Sequence, residues 1–180
     1  MTSAAWRLRS IRQIRHKGVR LYLGESLWWL LFVLWNVLLM AADWRHRRVP
    51  NVLVVAAVCF QVLWSIAASV APGWAYPPLW PGWGWAIAGF LAALAFLPLW
   101  TRRIMGAGDV KVIAAYGLVF GLKYLCWVLA AGTLLAGLHA AIYLAVSRWR
   151  ALPQRLRQVP YATYLALGAL SVAPMLWSSR

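Results

Sequence analysis

The chain has 180 residues, of which 64% are hydrophobic and 12% charged, and its formal net charge is +15. Soluble domains carry about 25% charged residues, so this composition excludes an ordinary soluble domain and is typical of a polytopic membrane protein. The basic residues stand in short segments between apolar runs, which is the pattern of membrane topology signals. We therefore expect no nucleic-acid partner.

Six apolar stretches approach the length that a membrane-spanning helix requires, which is about 20 residues. They cover residues 24–42, 52–70, 83–100, 104–122, 125–146 and 160–177. The stretch at 104–122 is marginal because it contains Asp109 and Lys111. The sequence thus predicts an all-α membrane bundle of about six transmembrane helices, formed by residues 24–180.

The loops between these spans differ sharply in charge. The side reached after the first, third and fifth spans carries ten basic residues, namely Arg45, Arg47, Arg48, Arg102, Arg103, Lys111, Arg148, Arg150, Arg155 and Arg157. The opposite side has the uncharged loop 72–82, together with Lys123 and Arg180. The positive-inside rule places the ten basic residues in the cytoplasm.

A basic tail at residues 1–23 conflicts with this topology, because six spans would leave it on the other side. Three interpretations stay open. The tail lies in the membrane interface as an amphipathic segment, or it is an upstream extension from a misassigned start, or the first span is wrong.

Acidic residues are almost absent: the chain has only Glu25, Asp43 and Asp109. Two complete spans separate Asp43 from Asp109, and an even number of crossings returns the chain to the same face. Both carboxylates are therefore expected at the cytoplasmic edge. Ionisable groups at membrane depth are costly, and each one marks a candidate functional site.

The depth of Asp109 follows from helix length. The thirteen residues from Asp109 to Gly121 span about 20 Å, which is less than the roughly 30 Å hydrocarbon core. Either the helix reaches back to Ile104 or Asp109 lies below the membrane surface. In both cases its carboxylate is at membrane depth.

Two carboxylates held close share one proton, because ionisation of one opposes ionisation of the other. The ionised member can deprotonate a water while the protonated member donates to the carbonyl under attack. This is aspartic-protease chemistry, for which we expect no metal and no cofactor. The histidines are scattered, and no Ser or Cys has a recognisable base nearby. Taken singly, each carboxylate also has an ordinary interpretation as an ion pair with a neighbouring Arg or Lys.

Two motifs around these aspartates carry a specific resemblance. Residues 43–51, Asp-Trp-Arg-His-Arg-Arg-Val-Pro-Asn, resemble the first motif of the type IV prepilin leader peptidases. Residues 106–111, Gly-Ala-Gly-Asp-Val-Lys, resemble their second motif, and Val-Pro-Tyr at 159–161 resembles a weaker third. Glycine permits positive φ and close backbone approach, which suits the turn before Asp109. The resemblance covers roughly residues 26–177.

Membership of this family implies a membrane aspartic endopeptidase of the bacterial inner membrane that removes basic leaders from prepilins at the cytoplasmic face. Its partners are the prepilin leader, the start of the prepilin's hydrophobic helix, and membrane lipid. The resemblance makes Asp43 and Asp109 the catalytic dyad. Its expected supporting residues are Gly106, Gly108, Lys111, Pro50 and Asn51. For Lys111, neutralising Asp109, tuning the dyad and anchoring at lipid headgroups stay open, and the sequence does not predict an oligomeric state.

The long members of the family carry a cytoplasmic insert with paired C-x-x-C motifs and also methylate the new N-terminus. This chain passes directly from Asp43 into its second span, and Cys59 and Cys126 lie far apart in apolar runs. Methylation is therefore not expected, and the cysteines are interpreted as small packing residues. The short form resembles the peptidases of tight-adherence (Flp-type) pilus systems.

Two other functions agree with parts of this pattern. A proton-coupled transporter would use the aspartates as relay groups, but it predicts acidic residues near the bilayer midplane and inverted repeats, which this sequence lacks. A non-catalytic pilus-assembly protein with the same fold is disfavoured, because a degenerate relative is expected to have lost at least one aspartate.

Overall fold

The computed structural model describes residues 3–70, 82–150 and 159–178. Every regular element in these ranges is a helix, which confirms the predicted all-α fold. The helices are α1 (Ser3–His46), α2 (Asn51–Val70), α3 (Trp83–Ala92), a 3₁₀ turn (Ala93–Phe96), α4 (Leu97–Thr101), α5 (Ala107–Ser147) and α6 (Tyr161–Ser178). The expected uncharged loop lies outside the described residues except for Gly82, as do Arg155, Arg157 and Arg180.

Helix α5 is too long for one crossing, and it breaks at Gly121. Its 41 residues would span about 62 Å as a straight helix, twice the hydrocarbon thickness. Gly121 has φ 66° and ψ 174°, a conformation that a residue with a Cβ rarely adopts. Helix α5 therefore consists of two segments, on either side of this glycine.

Contacts with α6 show that the chain reverses direction at this break. Along the second segment of α5, Gly132 approaches Leu165 and Val128 approaches Gly168, so that segment runs antiparallel to α6. Tyr161, at the start of α6, lines the same cavity as Asp109 at the start of α5. Both ends of α5 therefore lie at one end of the bundle. The two segments correspond to the predicted spans 104–122 and 125–146.

Close backbone contacts hold α3 against the first segment of α5. A Cβ added to Gly89 would lie 2.8 Å from the carbonyl carbon of Gly121 and would overlap the backbone of Gly117. A Cβ on Gly117 would in turn meet the backbone of Gly89. Small residues allow such approach in membrane helices, where packing replaces the hydrophobic effect as the driving force.

The outer surface of the bundle is apolar, as a lipid-facing surface must be. Leu30, Leu63 and Leu134 are 65%, 66% and 75% exposed. Within the described ranges, four helical stretches are long and apolar enough to cross a membrane, and a fifth apolar helix is shorter. They are Ser26–His46, Asn51–Val70, Trp83–Thr101, Ala107–Ser147 and Tyr161–Met175. Because the fourth stretch doubles back, these helices agree with about six crossings. Cys59 and Cys126 are exposed rather than packed inside the bundle, so their interpretation as packing residues was wrong.

The basic tail is continuous with the first span. Helix α1 has 44 residues and would measure about 66 Å, whereas its membrane-spanning candidate is Ser26–His46. From Ser3 on, the tail is therefore the part of α1 that is farthest from Asp43. An interfacial position for residues 1–23 stays a prediction.

Candidate active site

Asp43 and Asp109 line one cavity at one end of the bundle. Asp43 lies in the last turn of α1, and Asp109 is the third residue of α5. The cavity has a volume of about 440 Å³, and the two carboxylates interact electrostatically across it. Its other lining residues are Arg47, Arg48, Val49, Asn51, Gly106, Ala107, Gly108, Lys111, Val159 and Tyr161.

The carboxylate of Asp43 is buried, with 6% of the residue exposed. Its Oδ2 accepts two hydrogen bonds from Thr163, one from the backbone N–H and one from the hydroxyl, each 2.9 Å long. The carbonyl of Pro160 accepts a hydrogen bond from the N–H of Tyr164, so Pro160 is the N-cap of α6. Proline has no side-chain oxygen for the free N–H groups of the first turn. Asp43 supplies that oxygen from α1, in the way an N-cap side chain does.

The carboxylate of Asp109 folds back over the turn that begins α5. Gly106 is the N-cap of this helix and has φ −68° and ψ 143°, which any residue can adopt. A Cβ on Gly106 would, however, lie 3.0 Å from Oδ2 of Asp109. Close approach, and not positive φ, is therefore the reason for a glycine here. The helix begins at Ala107 and does not reach back to Ile104.

Gly108 brings the start of α5 against the chain that follows α1. A Cβ on Gly108 would lie 3.3 Å from the Cβ of Val49, closer than most such contacts. The segment after Asp43 and the turn before Asp109 therefore pack directly on each other. This contact holds the motif that contains Asp43 beside the motif that contains Asp109, at one cavity.

Lys111 connects the second motif with the end of the first. Its Nζ donates a hydrogen bond to Oδ1 of Asn51, the first residue of α2, at 2.8 Å. Both residues line the cavity. Pro50 does not line it; its carbonyl accepts a hydrogen bond from the N–H of Leu53 at the start of α2. Six of the seven residues singled out from the sequence thus come together, and Pro50 lies beside them.

Sequence reasoning missed Thr163, although it quoted the motif that ends two residues earlier. The sequence does place this threonine in the first turn of an apolar span. A hydroxyl at that position can donate a hydrogen bond to a carboxylate at the edge of the membrane. It also missed the buried pair Asn36 and Tyr116, whose side chains are hydrogen-bonded. Each is seven residues from one aspartate, and residues two turns apart share a helix face.

The arrangement places two carboxylates, from different helices, on a water-accessible cavity large enough for a short stretch of extended peptide. Cationic side chains from the loop after α1 and from α5 share the cavity, namely Arg47, Arg48 and Lys111. Among the described residues, no group of three or more His, Cys, Asp or Glu side chains is placed to hold a metal ion. Activation of water by paired carboxylates is the chemistry that this residue set favours.

Comparison with known proteins gives one match. Residues 30–144 match the family model described as the type IV leader peptidase family. This stretch is more than half of the chain, and it contains both aspartates but ends before α6. No curated protein and no solved structure matches the chain.

Proposed function

Because this chain belongs to the type IV leader peptidase family, we propose that it is an aspartic endopeptidase for Flp-like prepilins. It removes their basic leader at the cytoplasmic face of the bacterial inner membrane and does not methylate the product. Asp43 and Asp109 form the catalytic dyad. Gly106, Gly108, Lys111 and Asn51 support it, while Pro50 helps to begin α2.

One observation carries this proposal: the two aspartates of a chain with only three acidic residues line a single cavity. They come from helices far apart in sequence, and both lie in a terminal turn. A relay transporter would instead hold its carboxylates near the middle of the membrane. Positions at one end of the bundle favour a reaction at the membrane edge.

The reaction needs one water and one shared proton. The ionised aspartate takes a proton from the water as the water oxygen attacks the scissile carbonyl carbon. The protonated aspartate gives its proton to the carbonyl oxygen. The tetrahedral intermediate then collapses, its C–N bond breaks, and the leaving amine receives a proton from the first carboxyl group. As the C–N bond breaks, a hydroxyl group of the intermediate returns a proton to the second aspartate, so the dyad again holds a single proton and no covalent enzyme intermediate forms.

The position of the cavity suits a substrate whose cleavage site lies between a basic leader and an apolar helix. Apolar side chains cover the outside of the bundle, so a substrate helix can approach through lipid. The basic leader meets a basic cytoplasmic surface, and simple charge matching does not explain its binding. The aspartates, hydrophobic contacts and the negative surface potential of the lipid provide the attraction instead.

Co-expression with Flp-type prepilins tests the proposal. Asp43→Asn and Asp109→Asn each keep the side-chain shape but remove a charge, and cleavage should fall about a thousandfold or more, as for essential catalytic groups. Immunoblotting would then show only precursor. Glu25→Gln, which removes the charge of the one other acidic side chain in the sequence, is the matched control and should process normally. Full cleavage by both aspartate variants would refute an aspartic mechanism.

A further inference from the structure

Two donors from one residue converge on a single oxygen of the dyad. The N–H and the hydroxyl of Thr163 both bond to Oδ2 of Asp43, across 120 positions of sequence. Both residues are buried, so water does not replace these bonds easily. Thr163 bonds only to Oδ2 of Asp43, so Oδ1 lies outside this pair of bonds.

These bonds favour one protonation state of Asp43. A backbone N–H only donates, so Oδ2 is an acceptor, and an ionised carboxylate is a pure acceptor. Hydrogen bonds to an ionised oxygen are roughly twice as strong as neutral ones. The N–H is also one of the unpaired donors at a helix N-terminus, where the helix dipole favours negative charge. Thr163 therefore stabilises the negative form of Asp43.

Other charged and titratable groups also surround the two aspartates. Arg47 and Arg48 come from the loop after α1, Lys111 from α5 and Tyr161 from α6, and all of them line the cavity that both carboxylates share. Asp109 also lies in the first turn of a helix, α5, where it has one hydrogen bond with the backbone of Gly106, and it is only partly buried. The N–H and the hydroxyl of Thr163 both bond to Asp43, and neither bonds to Asp109.

We propose that Thr163 is a positioning residue that holds Asp43 as the ionised member of the dyad, so that the shared proton resides on Asp109. This rests on the proposed peptidase function and adds an assignment of roles. Asp43 takes the proton of the attacking water through Oδ1. Asp109 donates its proton to the oxygen of the scissile carbonyl. Thr163 lies beyond residues 30–144, the part of the chain that matches the family model.

The test removes the hydroxyl while keeping the size of the side chain. Cleavage rates would be measured from acidic to neutral pH on purified protein in nanodiscs, with the prepilin that the wild-type chain cleaves best in cells. In Thr163→Val, Oδ2 of Asp43 keeps the N–H donor but loses the hydroxyl donor, so its ionised form is less stabilised. The acidic limb of the rate profile should move up by about one pH unit, and kcat should fall about tenfold, as for one lost hydrogen bond to a charged group. KM should change little, because the substrate is not touched.

Two variants make the result specific. Thr163→Ser keeps the hydroxyl and should restore the wild-type profile. Thr133→Val makes the same chemical change at an exposed position, where the hydroxyl bonds to the carbonyl of Leu129 in its own helix, and it should leave the profile unchanged. If Thr163→Val does not accumulate as folded protein, Thr163→Ala compared with Thr163→Ser gives the same contrast.

The assignment would be overturned if the acidic limb of the rate profile did not move in folded Thr163→Val or Thr163→Ala. It would also be overturned if kcat fell as far in Thr163→Ser as in Thr163→Val. These outcomes differ from a failure of the peptidase proposal itself. In that case Asp43→Asn and Asp109→Asn would both still cleave. Loss of cleavage in both aspartate variants with an unmoved limb in Thr163→Val would leave the peptidase standing and refute only the role of Thr163.

Discussion

Tyr116 donates a hydrogen bond from its hydroxyl to Oδ1 of Asn36 at 2.6 Å, and both residues are fully buried. Asn36 precedes Asp43 by two helical turns in α1, and Tyr116 follows Asp109 by two turns in α5. Because the two helices run in opposite directions, both aspartates lie on the same side of this hydrogen bond. Each is about 10 Å from it along its own helix axis. The amide nitrogen of Asn36 donates to the carbonyl of Phe32, which fixes its orientation.

Tyr116→Phe removes only the hydroxyl of this pair. Oδ1 of Asn36 is then buried without that donor, and the free energy of unfolding should fall by about 1–3 kcal/mol. Cleavage should also slow, because the register of the two helices loosens. Thermal unfolding in detergent and prepilin cleavage measure the two effects. Tyr143→Phe is the control, since the hydroxyl of this half-buried residue has no hydrogen bond within the described part of the chain. Equal behaviour of both variants would contradict a register role.

Gly106→Ala separates a catalytic effect from a structural one. The backbone at Gly106 accepts alanine, but the new methyl group would lie 3.0 Å from Oδ2 of Asp109 and displace that carboxylate. We expect cleavage to fall by about tenfold to a hundredfold, the scale for a misplaced catalytic group. The melting temperature should stay close to that of the wild type. Gly84→Ala, where nothing lies within 4 Å of the new methyl, should cleave normally. Wild-type cleavage by Gly106→Ala would show that Asp109 does not depend on this close approach.

Gly121→Ala tests the reversal within α5. Its φ of 66° with ψ of 174° suits glycine alone, and alanine should lose about 1–3 kcal/mol of folding stability there. Gly137→Ala is the matched control, because its new methyl meets open space within the same helix. Alanine is the better helix former, so this control should be neutral or slightly stabilising. Thermal unfolding of the two variants gives the comparison, and a Gly121→Ala protein as stable as the wild type would argue against the break.

Lys111→Met should weaken cleavage without unfolding the protein. It removes the hydrogen bond to Asn51 and one positive charge from the cavity that Asp43 and Asp109 line. The bond is exposed, so its loss should cost about 1 kcal/mol, or roughly fivefold in kcat/KM. Lys123→Met is the control, because Lys123 contacts the ring of Tyr124 just beyond the reversal, at the other end of the bundle.

A double-mutant cycle with Asn51→Ala identifies the partner. If the two side chains act as one unit, the double variant should be no slower than the slower single variant. Additive losses would show that Lys111 acts on the cavity independently of Asn51. In that case Lys111 would act either by neutralising an aspartate directly or by anchoring the helix at lipid headgroups.

Much of the candidate site was predictable because membrane folding is governed by local rules. Hydropathy and helix length predicted the spans, and counting crossings predicted that Asp43 and Asp109 share one face. The motifs then indicated Gly106, Gly108, Lys111 and Asn51 as neighbours of the aspartates. The interpretation of Cys59 and Cys126 as packing residues failed, because an apolar helix carries small apolar residues on its lipid face as readily as on its packed face.

By itself, the sequence of this protein determined the all-α fold, the order of about six apolar spans, and which two carboxylates line one cavity. The physical reason is that backbone polar groups in lipid must be satisfied within each helix, so local composition decides where helices begin and end. Only the tertiary structure decided which donors meet those carboxylates. Thr163 reaches Asp43 and Tyr116 reaches Asn36 because of how distant helices cross and in what register. That geometry depends on close contacts such as Gly89 against Gly117, which no local pattern specifies.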